Sequence, residues 1–596
     1  MKKYPFFKTI KRVLGEVKTY DKGLFGLFIL HTIFASIFPV FAIYIPKFVI
    51  EIIENPNADL NYLLTIILGF VLLASIFGFL EIYLLSISYT RLMIIRMKLL
   101  VEQFTKINRL DYHYTENPKF LDEHEDSFRA TSSTDNGFEG LMRRMFLVGA
   151  KIVTCIFYII IIVQLSYVVL VAQLISLLVS ILISSAIKKY RYNRREKLAN
   201  ASRKIQYYSN TTHDFGYGKD IRLYDMQDTI IKSYDYEIKN YLSVFRKIKN
   251  KEYLLGIVDL IFVLISDAAL YYYLITNVMG GMSIANFSMY LLAAIALSTL
   301  LKVVGGDISF IIGEGQYIND YYFFMEHEYN EPTKGLPMPK DDMLEIEFRN
   351  VSFKYPNTDK WIIKDLNLHI KKGEKLAIVG INGAGKTTLV KLLLRLFKPT
   401  SGEIFVNGIN QLDYDKEEYE KMFAPVFQDI NILAFSVREN ITLGLSNDER
   451  RIWDSLEKVG LKEKVESFEN GLDQMMLKNI DEKGVILSGG ENQKLVIARA
   501  LYKGGKMIIL DEPTAALDAL AEKEIYENFN TLIEDKTAIF ISHRLASTRF
   551  CNRIALFGDS KLLEYGTHDE LMEAKKDYYN MFVVQGKYYQ KEQEHE

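Results

Sequence analysis

Apolar and polar residues alternate on very different length scales in the two halves of this chain. Runs without Asp, Glu, Lys or Arg cover residues 24–46, 60–80, 152–187 and 268–301. A membrane-spanning helix needs about 20 apolar residues. The two shorter runs therefore predict one span each. The two longer regions predict two spans each, with turns near 164–167 and 277–283, and the helix before the second turn begins well before Leu254. The total is six spans, and most runs are too long for buried core helices.

Basic residues are concentrated on one side of the predicted spans. They occur in the N-terminal stretch, after spans two and four, and before span five. Basic loops face the cytoplasm, so both ends of the membrane domain are predicted to be cytoplasmic, in a multi-pass protein of the cytoplasmic membrane. The two long cytoplasmic connections are predicted to be helices that are interrupted at 111–122 and 212–224. Interruptions of this kind are typical of segments on which another domain docks, and we call these two segments the first and second elbow. A plain helical hairpin gives the same pattern.

Two acidic residues, Asp259 and Asp267, lie in the apolar run of span five. Intramembrane acids are expensive and commonly functional. Asp267 is the deeper and the better candidate for lining a substrate pathway, with a preference for cationic or zwitterionic cargo. Asp259 suits the cytoplasmic interface equally well. The alternative for both is a carboxylate paired with a neighbouring helix.

The second half has strand-like and helix-like patterns typical of a soluble α/β domain. It contains a glycine-rich loop between an apolar strand pattern and a helix pattern, and the order matches G-x-x-x-x-G-K-[ST]. Such a loop cradles phosphates with its backbone N–H groups, its lysine reaches the β- and γ-phosphates, and its hydroxyl binds Mg²⁺. The loop residues are Gly380, Ile381, Asn382, Gly383, Ala384, Gly385, Lys386, Thr387 and Thr388.

Other polar residues follow predicted strands in this half. Asp511 and Glu512 end one apolar strand, and His543 ends another. The carboxyl ends of parallel strands form the site in such sheets. Asp511 suits Mg²⁺, which prefers hard oxygen ligands, and Glu512 suits a base that polarises attacking water. His543 is placed to reach the γ-phosphate.

Three further segments fit a nucleotide site. Ser488, Gly489, Gly490 and Glu491 precede a predicted helix, whose N-terminus suits an anion. Gln428 follows another strand. Tyr355 lies before the glycine loop, where it suits stacking on adenine, or is an ordinary strand aromatic.

These motifs, in this order, resemble the ATP-binding cassette exporters, in which six spans precede one nucleotide-binding domain. The resemblance covers nearly the whole chain, by motif in the second half and by topology in the first. It implies a Walker A loop at 380–388 and an adenine-stacking Tyr355. It implies Mg²⁺ ligation by Thr387, Gln428 and Asp511. It also implies that Glu512 and His543 are catalytic, and that Asp518 belongs to the D-loop.

The resemblance also implies how the chain assembles. Residues 488–491 form the signature, which meets ATP held by a second half-transporter, either a copy of this chain or a related one. Where Gln is usual the signature has Glu491, and the added charge is expected to slow closure of the two cassettes. The two breaks in the cytoplasmic connections correspond to coupling helices.

The predicted fold class is a membrane α-helical domain of six long transmembrane helices plus an α/β P-loop ABC ATPase domain. The predicted domains are residues 1–329, a linker at 330–342, the nucleotide-binding domain at 343–585 and a polar tail at 586–596. The predicted function is ATP-driven, alternating-access export of a peptide, a lipid or an amphipathic small molecule, with ATP and Mg²⁺. The alternative is a nucleotide-gated regulator or channel. An importer is disfavoured by the short outer loops.

Composition changes this picture little. The chain has 72 Lys and Arg residues against 74 Asp and Glu residues. A net charge near zero does not indicate nucleic acid as a partner. The two cysteines, Cys155 and Cys551, lie in different halves and predict packing thiols rather than a disulfide.

Overall fold

The structure, a computed structural model, describes residues 5–54, 60–329, 335–356, 358–513, 533 and 536–593. It divides into two compact units. The first contains residues 1–108 and 122–327, and the second contains residues 109–121 and 328–596. The boundaries of the linker and of the polar tail stay predictions.

The regular secondary structure of the first unit is helical in its described residues. Six of its helices are long and apolar enough to cross a membrane. The helices are α1 Phe6–Tyr20, α2 Gly23–Ile53, α3 Leu60–Asn108, α4 Tyr112–Thr115, α5 Pro118–Phe128, α6 Gly137–Leu165, α7 Tyr167–Tyr192, α8 Arg195–His213, α9 Gly218–Leu223, α10 Gln227–Met279 and α11 Ile284–Glu326. Of these, α4 and the start of α5 belong to the second unit.

The two predicted turns between spans are confirmed. Ser166 separates α6 from α7, and its hydroxyl accepts from the Val168 N–H at 3.1 Å. Ser283 precedes α11 and accepts from the Asn286 N–H at 3.2 Å. Serine is a preferred N-cap because its oxygen satisfies an N–H that the first helical turn leaves unpaired. These caps start α7 and α11 where the apolar runs resume.

Helix α1 was not predicted from the sequence. Thr9, Val13 and Val17 form its buried face, which packs with residues of α3 and α11. Lys8, Lys11 and Lys18, three of the basic residues that stood out in the sequence, are exposed on this helix. The apolar pattern was present at helical spacing in Val13 and Val17, but it was short.

The second unit is an α/β domain with two sheets. Its elements are β1 Ile346–Phe353, β2 Ile363–Ile370, β3 Lys375–Gly380, α12 Lys386–Leu393, β4 Ser401–Val406, β5 Ile409–Asn410, α13 Lys416–Lys421, β6 Phe423–Val426, α14 Val437–Thr442, α15 Glu449–Lys458, α16 Lys462–Glu466, α17 Gly489–Lys503, β7 Met507–Asp511, β8 Thr537–Ile541, β9 Arg553–Gly558, β10 Lys561–Gly566, α18 His568–Ala574 and α19 Asp577–Gln593. The last helix extends into the residues predicted as a polar tail, as far as Gln593.

Sheet topology decides where the site lies. The smaller sheet is antiparallel, in the order β2-β1-β4-β5, and the larger sheet has the order β10-β9-β3-β8-β7-β6. All pairs of the larger sheet are parallel except β10 with β9. Ile541 pairs with both Ile378 and Asp511. The carboxyl ends of β3, β7 and β8 therefore meet at one edge, which carries the residues that follow those strands.

The first elbow, predicted at residues 111–122, lies almost wholly in the second unit, which contains residues 109–121. Glu116 forms an ion pair with Lys391 at 2.9 Å. The Tyr112 ring meets the Phe397 ring edge to face, with centroids 5.9 Å apart. The elbow is thus packed on the domain that carries the glycine loop, close to helix α12, which follows that loop.

Candidate functional site

The glycine loop requires glycine at its first position. Gly380 has φ +148°, and a Cβ there would lie 2.2 Å from the carbonyl oxygen of Phe557. Gly385, with φ +96°, immediately precedes α12. A residue with a side chain is strained in both conformations. The loop therefore turns sharply from β3 into α12 and presents its N–H groups at the helix N-terminus, where an anion is favoured.

Lys386 is held at this loop. Its side chain is buried, and its amine donates to the carbonyl oxygens of Gly380 at 2.9 Å and Ile381 at 3.2 Å. Burial lowers the pKa of Lys386, and the carboxylates of Glu512 and Asp511 oppose that shift. The only side-chain cation of the loop thus lies between the loop backbone and the acids that end β7.

A cavity of about 740 Å³ opens over the loop. It brings together ten of the predicted site residues with Ile362, which sequence reasoning missed. Gly380, Ile381 and Ala384 belong to the loop but do not line the cavity. The lining residues are Tyr355, Ile362, Asn382, Gly383, Gly385, Lys386, Thr387, Thr388, Gln428, Glu512 and His543.

Glu512 is the centre of the polar contacts in this cavity. His543 Nε2 lies 2.7 Å from one carboxylate oxygen of Glu512, and the amide nitrogen of Gln428 donates to the other at 3.1 Å. The two residues predicted to be catalytic are therefore in direct contact. Burial lowers the pKa of His543, and Lys386 lowers it further, while the Glu512 carboxylate opposes both.

The backbone of Glu512 is unusual. Its φ is +51°, in the left-handed region that residues with a side chain rarely adopt. Two hydrogen bonds fix it: the Glu512 N–H donates to the Ile541 carbonyl at 3.0 Å, and the Gln493 amide donates to the Glu512 carbonyl at 3.0 Å. Strain of this kind persists where neighbouring contacts impose it, and it is common at active sites.

Asp511 lies directly before this acid and is buried. Neither of its carboxylate oxygens has a hydrogen-bond partner of normal geometry among the described residues. Burial raises its pKa to about 6, with the nearby Thr387 hydroxyl opposing the shift. A buried, unpartnered carboxylate beside a hydroxyl fits a hard divalent cation such as Mg²⁺. No group of three or more His, Cys, Asp and Glu side chains among the described residues could hold a metal ion.

A second glutamine holds the backbone around His543. The Gln585 side chain, on α19, donates to the His543 carbonyl at 2.8 Å and accepts from the Leu545 N–H at 2.9 Å. Like Gln493, Gln585 was not singled out from the sequence. Each lies far along the chain from the residue it holds, so no local motif identifies the pairing.

Tyr355 packs against other aromatic residues at the wall of the cavity. Its ring packs edge to face against Phe353 and Phe397, with centroid distances of 5.1 and 5.3 Å. Its hydroxyl lies 3.1 Å from the Thr388 hydroxyl, and the residue lines the nucleotide cavity. Stacking on adenine stays a prediction.

The signature residues form the start of α17. The Ser488 hydroxyl accepts from the Glu491 N–H at 3.3 Å, and the Glu491 carboxylate accepts from the Ser488 N–H at 2.8 Å. This reciprocal arrangement is a capping box, in which Glu and Gln serve equally well. The hydrogen bond from Ser488 lowers the pKa of Glu491. None of the signature residues, all of them described, lines the cavity of the same chain.

The two acids of span five have different surroundings. A carboxylate oxygen of Asp259 lies 3.5 Å from Lys302 Nζ of α11. This contact agrees with the alternative prediction, in which the carboxylate is paired with a neighbouring helix. Among the described residues Asp267 has neither a hydrogen bond nor an ion pair, and it is half-buried. The predicted D-loop residue, Asp518, lies outside the described residues.

Comparison with known proteins identifies both halves. The family model of the ABC transporter transmembrane region matches residues 24–301, and the ABC transporter family model matches residues 363–515. The chain is 29% identical to the subtilin transport ATP-binding protein SpaT of Bacillus subtilis, over 96% of this chain and 92% of that protein. It is 31% identical to the nisin transport ATP-binding protein NisT of Lactococcus lactis subsp. lactis, over 62% of each chain.

The fold agrees with that assignment. A solved bacterial Atm1-family ABC exporter with ATP bound superposes with a TM-score of 0.76 at 19% identity, covering 96% of this chain and 99% of that one. The relatives are transporters that use ATP, which does not favour the alternative of a nucleotide-gated regulator. A membrane domain of six spans and one ATPase domain in a single chain make this protein a member of the ABC transporter family, a half-transporter of the exporter type that hydrolyses ATP to drive export.

Proposed function

We propose that this chain forms a homodimer in the cytoplasmic membrane, with its termini in the cytoplasm, and exports an amphipathic peptide. The observation that supports ATP turnover most strongly is the contact of Glu512 with both His543 and Gln428 in the cavity over the glycine loop. That arrangement suits repeated ATP turnover rather than nucleotide sensing, because the acid that would take a proton from water is present and oriented.

Hydrolysis is assigned to the residues of this cavity. ATP binds with its phosphates on the loop backbone, where Lys386 stabilises charge on the phosphoryl oxygens. The Glu512 carboxylate orients a water molecule and accepts its proton as the oxygen attacks the γ-phosphorus and the bond to ADP breaks. His543 fixes the rotamer of Glu512 and contacts the γ-phosphate. Thr387, Gln428 and Asp511 would hold Mg²⁺, which neutralises phosphate charge when bound.

A second copy would complete the site. The cavity has no lining residue from the signature of its own chain, whereas α17 presents a capped N-terminus suited to an anion. Since this chain has Glu512 and His543 together with an intact Ser488-Gly489-Gly490 stretch, two copies would form two equivalent sites.

The second elbow supports dimer formation. Phe215, Leu223 and Tyr224 are 88%, 79% and 75% exposed within the chain. Apolar side chains grouped on one cytoplasmic elbow commonly mark a protein contact. We assign them to the nucleotide-binding domain of the second copy, so that closure of the cassettes moves the spans.

The peptide class rests on the relatives. The subtilin transporter matches over nearly the full length of both chains, membrane domain included, and the nisin transporter is a second peptide-transport relative. Asp267 is assigned to the pathway, because an unpartnered carboxylate on a spanning helix is expected to face protein or water rather than lipid. There it would favour cargo with positive charge.

Reconstitution tests this function. Purified protein alone, in liposomes, should hydrolyse ATP and accumulate a labelled amphipathic peptide against its gradient, and Asp267→Asn should lower the preference for cationic peptides. An absence of ATPase activity without a second, different chain would contradict the homodimer. Normal ATP turnover with no uphill peptide movement would contradict the cargo class, and an unaltered charge preference in Asp267→Asn would make that residue structural.

A further inference from the structure

A second cavity, of about 430 Å³, lies within the membrane unit. It is enclosed by α2, α3, α6 and α11, and none of its residues was singled out from the sequence. Most of its wall is apolar, and six polar side chains are distributed around it. They are His31, Glu81, Lys151, Thr154, Tyr158 and Thr299.

Glu81 is the carboxylate of this cavity. It directly follows the charge-free run 60–80 on α3, and it is half-buried. Among the described residues its carboxylate has no hydrogen bond and no cation within ion-pairing distance. A carboxylate on a spanning helix is usually paired or functional, and Glu81 has no partner that would make it structural.

The cation of the cavity is already engaged. Lys151 Nζ lies 2.5 Å from a carboxylate oxygen of Asp307, which is itself buried. Arg144 holds the other oxygen of Asp307 at 2.8 Å. The positive charge of Lys151 is therefore directed at α11, and Glu81 is left as the carboxylate without a counter-ion in the wall.

The hydroxyl groups of the wall are oriented as acceptors. Thr154 donates to the Ala150 carbonyl at 3.0 Å, Thr299 donates to the Ile295 carbonyl at 3.0 Å, and Tyr158 donates to the Pro39 carbonyl at 3.3 Å. Each hydroxyl has a single proton, so these bonds leave only lone pairs for a ligand.

His31 adds an unsatisfied polar group. Its side chain is fully buried, and neither ring nitrogen has a hydrogen-bond partner in the part of the chain that the structure describes. Its ring packs against Phe146, with centroids 4.9 Å apart. Buried polar groups are nearly always satisfied, so an unsatisfied histidine in the wall of a cavity points to a ligand that is not part of the chain.

We propose that this cavity binds a primary ammonium group of the cargo, with Glu81 as its counter-ion and the wall hydroxyls and His31 as acceptors. An ammonium has three donors and no acceptor, which complements a wall rich in lone pairs. The proposal rests on the proposed export function and names the chemical group that the cargo presents.

The position of Glu81 along α3 indicates that this cavity is where cargo first binds. Glu81 lies 21 residues after the start of α3, about the number that crosses the hydrocarbon core. With the termini in the cytoplasm, this position is at the cytoplasmic edge of the spans. Cargo would therefore meet Glu81 before it reaches the deeper Asp267.

The test compares two forms of one fluorescent amphipathic peptide, with a free and with an acetylated N-terminal amine and no other charge. Their dissociation constants are measured on the full-length protein in lipid nanodiscs without ATP. The wild type should prefer the free amine by about tenfold, the effect of one charge-assisted hydrogen bond. Glu81→Gln should bind both forms alike, at the affinity of the acetylated form.

Two further variants keep the result interpretable. Glu51→Gln, at an exposed position on α2, is the matched control and should keep the tenfold preference. Ala296→Phe, which fills the cavity, should weaken binding of the free amine to a greater extent than binding of the acetylated form. If Glu81→Gln misfolds, the comparison of the two peptide forms on Ala296→Phe tests the proposal instead.

The outcomes separate this site from the export function. Retention of the preference in Glu81→Gln or in Ala296→Phe would overturn the ammonium site. Loss of the preference in Asp267→Asn but not in Glu81→Gln would move ammonium recognition to span five and would also overturn it. Equal binding of both forms by a wild type that still exports peptide would refute the site and leave the export function standing. A wild type that binds neither form would refute both.

Discussion

Replacing Gln493 by leucine is expected to slow ATP hydrolysis while leaving ATP binding nearly intact. Gln493 is buried on α17, and its amide donates to the carbonyl of Glu512 at 3.0 Å. Leucine keeps much of the side-chain volume and removes the donor. The change therefore acts on the backbone of the catalytic acid rather than on any group that touches nucleotide in this cavity.

The magnitude follows from two costs. An unpaired buried carbonyl costs about 1–3 kcal/mol, and a left-handed backbone costs an L-residue about 1–2 kcal/mol. Glu512 has φ +51°, so both costs favour a relaxed conformation once the Gln493 donor is lost. The backbone strain is already present in the wild type, so only the unpaired carbonyl is a new cost. A bias of about 1–3 kcal/mol lowers the competent fraction by about five- to 150-fold. We expect kcat to fall in that range and KM for ATP to change by less than about threefold.

Gln474→Leu is the matched control. Gln474 is buried in the same unit, and its amide also donates to a backbone carbonyl, that of Lys483 at 3.1 Å. Steady-state ATPase kinetics, binding of a fluorescent ATP analogue and thermal unfolding would be measured on both variants. Both should lose stability, and only Gln493→Leu should lose kcat per folded molecule. Equal losses of kcat, or a Gln493→Leu rate within about twofold of the wild type, would refute the reasoning.

Substitutions at three other positions have definite expectations. Gly380→Ala should abolish ATP binding in a titration, because its Cβ would lie 2.2 Å from the Phe557 carbonyl oxygen, and normal binding would contradict the loop geometry. Lys386→Ala should weaken ATP binding and stop transport in liposomes, and an unchanged affinity would count against the phosphate-loop assignment. Glu491→Ala should lower the free energy of unfolding by about 0.5–1.5 kcal/mol, the contribution of one hydrogen bond, because the Ser488 N–H loses its acceptor. Glu491→Gln should keep the stability of the wild type. By removing a negative charge near the phosphates, it should also let the dimer close at a lower ATP concentration. Equal ATP dependence of closure in Glu491→Gln and the wild type would show that the charge does not slow closure.

Much of the fold was predictable because its signals are local. The six spans follow from the length of charge-free runs, and the turns at Ser166 and at 280–283 lie inside the two runs that were assigned two spans each. The strand ends that carry Asp511 and His543 were also predictable, since an apolar strand followed by a polar residue is visible in the sequence. Parallel pairing then brings such residues to one edge.

The remaining features depend on contacts between distant residues. The pairing of Asp259 with Lys302, the hold of Gln493 on Glu512 and the engagement of Lys151 by Asp307 join residues that no periodicity connects. Glu81 was overlooked for a related reason. An acid at the end of an apolar run resembles an ordinary interface residue, and only the structure shows that it has no partner among the described residues. Sequence patterns predict secondary-structure elements and motifs. Which charged groups have partners is known only once the packing of the folded chain is known.

The most direct test of ATP-driven export by this chain is Glu512→Gln. The variant should bind ATP with normal affinity, hydrolyse it at a rate near background and accumulate as an ATP-bound closed dimer, because the amide keeps the shape of the acid and cannot accept the proton of water. Glu417→Gln, at an exposed position on α13, is the control and should turn over normally. The measurement is single-turnover hydrolysis together with sedimentation of the ATP-bound species. Near-normal turnover by Glu512→Gln would show that the base lies elsewhere and would contradict the account.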